Sequence, residues 1–125
     1  MTTSRAAALA AVILLAGCSV GPKLAAPVEP DKARAALRTA LDAWKAGKPI
    51  GSLTEASPPI VAQDFDWLAG AKLDDYAVLD DKESDANLRV RVQLTVRPAQ
   101  GAVAKKTVTY VVGTDPSLTV FRAME

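Results

Sequence analysis

Histidine is absent from this chain of 125 residues, and cysteine occurs once. Without imidazole, His-dependent acid–base catalysis and the commonest zinc centres are excluded. A single thiol cannot close a disulfide within the chain, even in an oxidising compartment. Aromatics are few, with two Trp, two Tyr and two Phe. A small domain has to bury such residues, so each is a core candidate before it is a site candidate. Charge of one sign is lacking too: Lys plus Arg number 15 and Asp plus Glu 14. So balanced a chain has no basic footprint for nucleic acid. The apolar run Ala6 to Ala16 falls short of the roughly 18 to 20 residues that span a bilayer core, so a mature transmembrane helix is not expected. No motif for a cofactor or a metal appears.

What is present begins with that run. Met1 to Arg5 supplies a basic end, the run supplies a short apolar core, and small residues follow, which is the layout of a secretory signal. Leu15-Ala16-Gly17-Cys18 then resembles the lipobox of bacterial lipoproteins. That resemblance implies cleavage before Cys18, a diacylglyceryl thioether on its sulfur, and residence on a periplasm-facing membrane of the cell envelope. Cys is the most nucleophilic side chain available for such a transfer. Two or three acyl chains hold a protein on a membrane far more firmly than one. Ser19, where retained lipoproteins of this kind carry Asp, favours the outer membrane if the organism has one.

The organisation expected is a signal over residues 1–17, a lipidated Cys and Pro-rich tether over 18–30, and one domain over 31–125. Pro22, Pro27 and Pro30 make the tether semi-rigid and extended. Asp31 to Lys48 reads as a helix, with Ala33, Leu37, Ala40, Leu41 and Trp44 on one stripe and Arg38, Asp42 and Lys45 opposite. Gly47 and Pro49 end it. Ile50 to Pro59 reads as loop, Ile60-Val61-Ala62 as a short extended piece, and Asp64 to Gly70 as a helical turn.

From Lys72 onward the period changes to two. Strands are expected at Leu73–Asp80, Leu88–Arg97, Val103–Val112 and Leu118–Arg122, separated by turn residues. Matching apolar faces sets the register, because a one-residue slip turns every side chain over. Val92 should oppose Val108, Val90 should oppose Tyr110, and Leu88 should oppose Val112. Continuing the meander pairs Val112 with Leu118 and Tyr110 with Val120. The fold class is therefore α+β, one helix on a four-stranded antiparallel meander. That order resembles the cystatin-like and NTF2-like superfamilies, in which a bent sheet wraps a helix. The stretch Lys106 to Pro116, with Thr119 to Arg122, also looks like the end of small bacterial lipoproteins of uncharacterised activity.

Candidate site residues follow from charge and from the few aromatics. Acids crowd Asp64 to Asp85, and bases without acids occupy Asn87 to Thr114. Arg89, Arg91 and Lys105 on the polar sheet face could meet an anionic partner, or be neutralised by the first strand's acids across the hairpin. Trp44, Trp67, Asp75 and Tyr110 are the candidate pocket residues. The NTF2-like resemblance implies one chemistry for them, with Asp75 moving a proton while the Tyr110 hydroxyl holds an oxyanion. This would require Leu73, Ala77 and Leu79 to point inward; the competing register turns Tyr76 and Val78 inward instead. The leading expectation is a non-catalytic envelope lipoprotein that binds a protein partner or small ligand. An NTF2-like enzyme with a small apolar pocket is the alternative.

Overall fold

The computed structural model describes residues 26–124; Cys18 and the lipobox lie outside them. Helix α1 spans Pro30–Lys45, with a proline in its first turn, Asp31 near its positive end and Lys45 near its negative end. Ala33, Ala36, Leu37, Ala40, Leu41 and Trp44 are buried, and Arg38, Asp42 and Lys45 are exposed, as the stripe requires. Its exit is set by Gly47, at φ +81°, whose N–H bonds to the Trp44 carbonyl. A left-handed residue there suits glycine, which has no Cβ to clash.

The stretch read as loop contains a 3₁₀ helix, Ile50–Glu55. Its turns are tied by side chains, Ser52 Oγ donating to the Pro49 carbonyl and Thr54 Oγ1 to the Gly51 carbonyl. Leu53 is its one buried anchor. Strand β1 (Ile60–Gln63) and the single-turn helix α2 (Phe65–Leu68) then precede β2 (Lys72–Ser84), β3 (Asn87–Arg97), β4 (Ala104–Gly113) and β5 (Leu118–Arg122).

These strands form one five-stranded sheet in the order β1-β5-β4-β3-β2. The expected four-stranded antiparallel meander is corrected by β1, which runs parallel to β5, with Ile60 opposite Leu118 and Ala62 opposite Val120. Four residues are too few to display an alternation, and the partner lies nearly sixty residues away, so local pattern could not recruit β1. No helix among the described residues is long and apolar enough to cross a membrane.

The β3–β4 register is the expected one: Val92 faces Val108, Val90 faces Tyr110 and Leu88 faces Val112. At β4–β5 the pairing slides by two, so Val112 faces Val120 and Tyr110 faces Arg122. A slide of two preserves the side-chain faces. Residues 114–117 are all spent on the turn, which pushes Thr119 opposite Gly113. A Cβ at Gly113 would sit 2.8 Å from Thr119 Oγ1 and 3.3 Å from Asn87 Oδ1, so the crossing strands tolerate only glycine without adjusting.

Strand β2 departs most from the simple reading. It runs four residues beyond Asp80, and its pairing with β3 shifts between Leu73 and Asp75 and again between Val78 and Asp80. Each shift is an irregularity of the bulge kind, which resets the alternation. Leu73, Tyr76 and Val78 therefore oppose the inward residues Val96, Leu94 and Val92, whereas Asp75 opposes Thr95.

Helix α1 lies across the inner face, against β2, β4 and β5. The core combines its stripe with Leu88, Val90, Val92, Leu94 and Val96 of β3 and with Val108, Tyr110 and Val112 of β4. Each fully buried large aliphatic side chain contributes about 1.5–3 kcal/mol. Along one flank α1 is also bridged to β2. The Arg34 guanidinium reaches both Asp81 oxygens at 2.8 and 3.0 Å, the Tyr76 hydroxyl donates to Asp42 at 2.7 Å, and Lys45 meets Asp75 at 3.3 Å.

Residues 26–29, within the stretch expected to be tether, are packed against the fold. The Ala26 N–H donates to Asp115 at 3.0 Å and the Glu29 N–H to the Thr114 hydroxyl at 3.1 Å. Val28 is buried between them. This segment is thus clipped to the β4–β5 turn.

Candidate functional site

The four residues expected to form a pocket do not converge on one. Trp44 and Trp67 stack with ring centroids 5.4 Å apart and planes 9° from parallel. Their indole N–H groups donate to the Ala71 carbonyl at 2.8 Å and the Lys48 carbonyl at 3.1 Å. Both rings are core, holding the exit of α1 against α2. Asp75 is exposed over 70% of its side chain and pairs with Lys45. The Tyr76 backbone N–H, then the Lys45 ammonium, hold its carboxyl below the usual range. The Asp75–Tyr110 pair is therefore not formed. The shift between Leu73 and Asp75 turned Tyr76 inward in its place.

Tyr110 has a different carboxylate. Its hydroxyl donates to Asp64 Oδ2 at 2.5 Å, and Asp64 is itself 3% exposed. Asp64 caps α2, its Oδ1 accepting from the backbone N–H groups of Asp66 at 2.9 Å and Trp67 at 3.2 Å. An Asp just before a helical turn is a favoured N-cap, because it satisfies N–H groups that lack intrahelical partners. Arg122 completes the group. Its guanidinium donates to Asp64 at 3.2 Å and to Asp66 at 3.0 Å, and lies 4.3 Å over the Phe65 ring. Lys106 adds a fourth charge at 2.9 Å from Asp66. Burial pushes the Asp66 carboxyl up, but the hydrogen bonds from Lys106 and Arg122 prevail and hold it below its ordinary value.

Carboxylate, phenol and guanidinium are the parts of an acid–base site, yet here they face one another. The Arg122 side chain is 5% exposed and Tyr110 is 1% exposed. Among the described residues no buried side-chain nitrogen or oxygen lacks a hydrogen-bond partner. The group staples β4 and β5 to α2. The sequence pattern placed Asp64 in an acidic cluster and at the start of a helical turn, and its position ahead of Phe65-Asp66-Trp67 was the signal for a cap.

Burial pushes the Tyr110 hydroxyl far above its ordinary value, with the Asp64 charge adding to the effect. Burial and Asp42 push Tyr76 up to about 12. The folded values exceed the unfolded one, so this share of stability is complete below about pH 10 and is lost as pH rises beyond it. Ultraviolet titration of the native protein should show almost no tyrosinate at pH 10.5, whereas in urea both tyrosines should titrate near 10. Tyr110→Phe should cost about 1.5–3 kcal/mol, the range for a hydrogen bond to a charged partner. Native tyrosinate forming at pH 10 with two equivalents would contradict the burial of Tyr110.

On the outer sheet face Arg89, Arg91 and Lys105 are exposed. Arg91 pairs with Asp80 at 3.0 Å, and Arg97 with Asp74 at 3.0 Å, across the β2–β3 hairpin. The basic strand is thus partly neutralised by its acidic neighbour. Three depressions stand out among the described residues. One of about 670 Å³ lies between α1 and the 3₁₀ helix and carries Asp42, Lys48 and Glu55. A small one of about 210 Å³ borders Phe65, Lys106 and Arg122. The third, about 560 Å³, is mainly apolar and runs between α1, Pro58-Pro59 and the β4–β5 turn. None of the three is lined by Trp44, Trp67, Asp75 or Tyr110. No protein-family model, curated protein or solved structure matches the chain.

Proposed function

We propose that this protein is a lipid-anchored domain of the bacterial cell envelope that binds a partner or small ligand and catalyses no reaction. The observation that carries the reading is the placement of Cys18, in its Leu15-Ala16-Gly17-Cys18 setting, eight residues before Ala26, whose N–H is bonded to Asp115 of the β4–β5 turn. Eight residues span at most about 29 Å, so acylation at Cys18 would hold the β4–β5 end of the domain close to a membrane. The polar groups inside the fold satisfy one another, and the mainly apolar depression lies at that same end. Kinship with cystatin-like or NTF2-like domains belongs to this reading, supported by a single long helix laid across a sheet. The enzymatic alternative has lost the Asp75–Tyr110 pair on which it rested.

Cys18→Ser should abolish both acylation and cleavage before residue 18. Mass spectrometry of protein recovered from membranes should show a mature chain starting at an acylated Cys18. Recovery of an intact, unmodified N-terminus would refute the anchor.

A further inference from the structure

We propose that the 560 Å³ groove between α1 and the β4–β5 turn binds the hydrocarbon chain of a free fatty acid. This names the ligand class for the binding domain proposed above and rests on that reading. The groove has the volume of a site for one small apolar ligand. Its walls are Ala35, Ala36 and Thr39 of α1, Pro58 and Pro59 after the 3₁₀ helix, and Leu118 of β5. Most of that surface is carbon, and apart from Lys32 its polar side chains are the small hydroxyls of Thr39, Ser57, Thr114 and Ser117.

Three observations choose the occupant. The groove opens beside residues 26–29, which begin eight residues after Cys18: Thr114 lines it and also accepts the Glu29 N–H. It is thus held within reach of a bilayer, the reservoir of free fatty acid. Among the described residues Lys32 is the only charged one that lines it, and its ion pair there is an exposed one with Glu29 at 3.2 Å. Exposed pairs of this kind contribute little, so an incoming carboxylate can compete for the ammonium. Pro58, Pro59 and Pro116 have no N–H, which leaves this wall poor in backbone donors. A peptide would need partners for its own amides. A hydrocarbon chain needs none.

The test uses the full chain with phosphatidylcholine vesicles containing a trace of palmitic acid that bears a terminal diazirine. After irradiation, peptide mapping should place the label within residues 35–39, 56–60 and 114–118. Unlabelled palmitic acid should compete it away. Ala35→Trp and Thr39→Trp alter exposed positions and should reduce labelling at least ten-fold with unchanged circular dichroism. Lys32→Ala should reduce it three-fold or more, as should replacing the probe's carboxylate with an alcohol. Label concentrated on exposed apolar residues elsewhere, such as Leu68 and Met124, would overturn the proposal. So would labelling that survives Ala35→Trp, or displacement by a proline-rich peptide and not by palmitic acid. Flotation of the wild-type protein with the vesicles reports the anchor, and labelling of Cys18→Ser protein reports the groove, so either can fail alone.

Discussion

Asp64→Ala should lower the urea midpoint more than loss of any other acidic side chain in the fold. The substitution removes the cap of α2, the acceptor for Tyr110 and one of two carboxylates on Arg122. It leaves a guanidinium that is 95% covered with only Asp66 opposite it. Breaking a buried ion pair from one side typically costs about 3–5 kcal/mol, because the remaining charge stays desolvated. That is a large share of the roughly 5–15 kcal/mol total of an ordinary domain. Asp75→Ala is the matched comparison, and it should leave the midpoint close to the wild-type value. Equal shifts for the two variants, measured by circular dichroism in urea, would show that the Asp64 group does not hold the fold.

Val90→Asp should prevent folding altogether at neutral pH. Val90 is 1% exposed at the middle of β3, between Tyr110 on one side and the β2 strand on the other. A carboxylate placed there is desolvated among the core side chains, and that cost alone exceeds what a single site normally contributes. The next residue gives the contrast. Arg91→Ser should cost no more than about 1 kcal/mol, since Arg91 and its partner Asp80 are both more than half exposed. Similar proton spectra for Val90→Asp and wild type, with dispersed amide signals in each, would mean that the sheet faces are assigned the wrong way round.

The sequence made α1 and β3 legible because each repeats one simple period over ten residues or more, and β4 because Val108, Tyr110 and Val112 match the apolar face of β3. Ala33, Leu37, Leu41 and Trp44 can only be a helical stripe. Leu88, Val90, Val92, Leu94 and Val96 can only be one face of a strand. Where the period breaks, foresight ended. The pairing shifts of β2 decide whether Asp75 or Tyr76 turns inward, and nothing local in Leu73-Asp74-Asp75-Tyr76 marks them. β1 was visible as an extended piece but not as a strand of the sheet, because its partner is set by the chain's far end. The Asp64 group was hidden for the same reason. Asp64, Lys106, Tyr110 and Arg122 come from three separate stretches, and a two-residue difference in the β4–β5 turn decides whether Arg122 stands opposite Tyr110. The clip of Ala26 and Glu29 onto the same turn had no sequence signal beyond the Asp and Thr typical of turns.

The place of β5 also governs the order of events in folding. Among the described strands it comes last in sequence, yet it sits inside the sheet, between β1 and β4. Until its five residues are available, β1 has no neighbour, Arg122 is missing from Asp64, and the inner face stays open beside Tyr110. The hairpins β2–β3 and β3–β4 can form early, since their partners are close in sequence, but closure waits for contacts of long sequence separation, which form slowly. The five-stranded sheet is thus completed, and the Asp64 group closed, in the one step that seats β5 between its two neighbours.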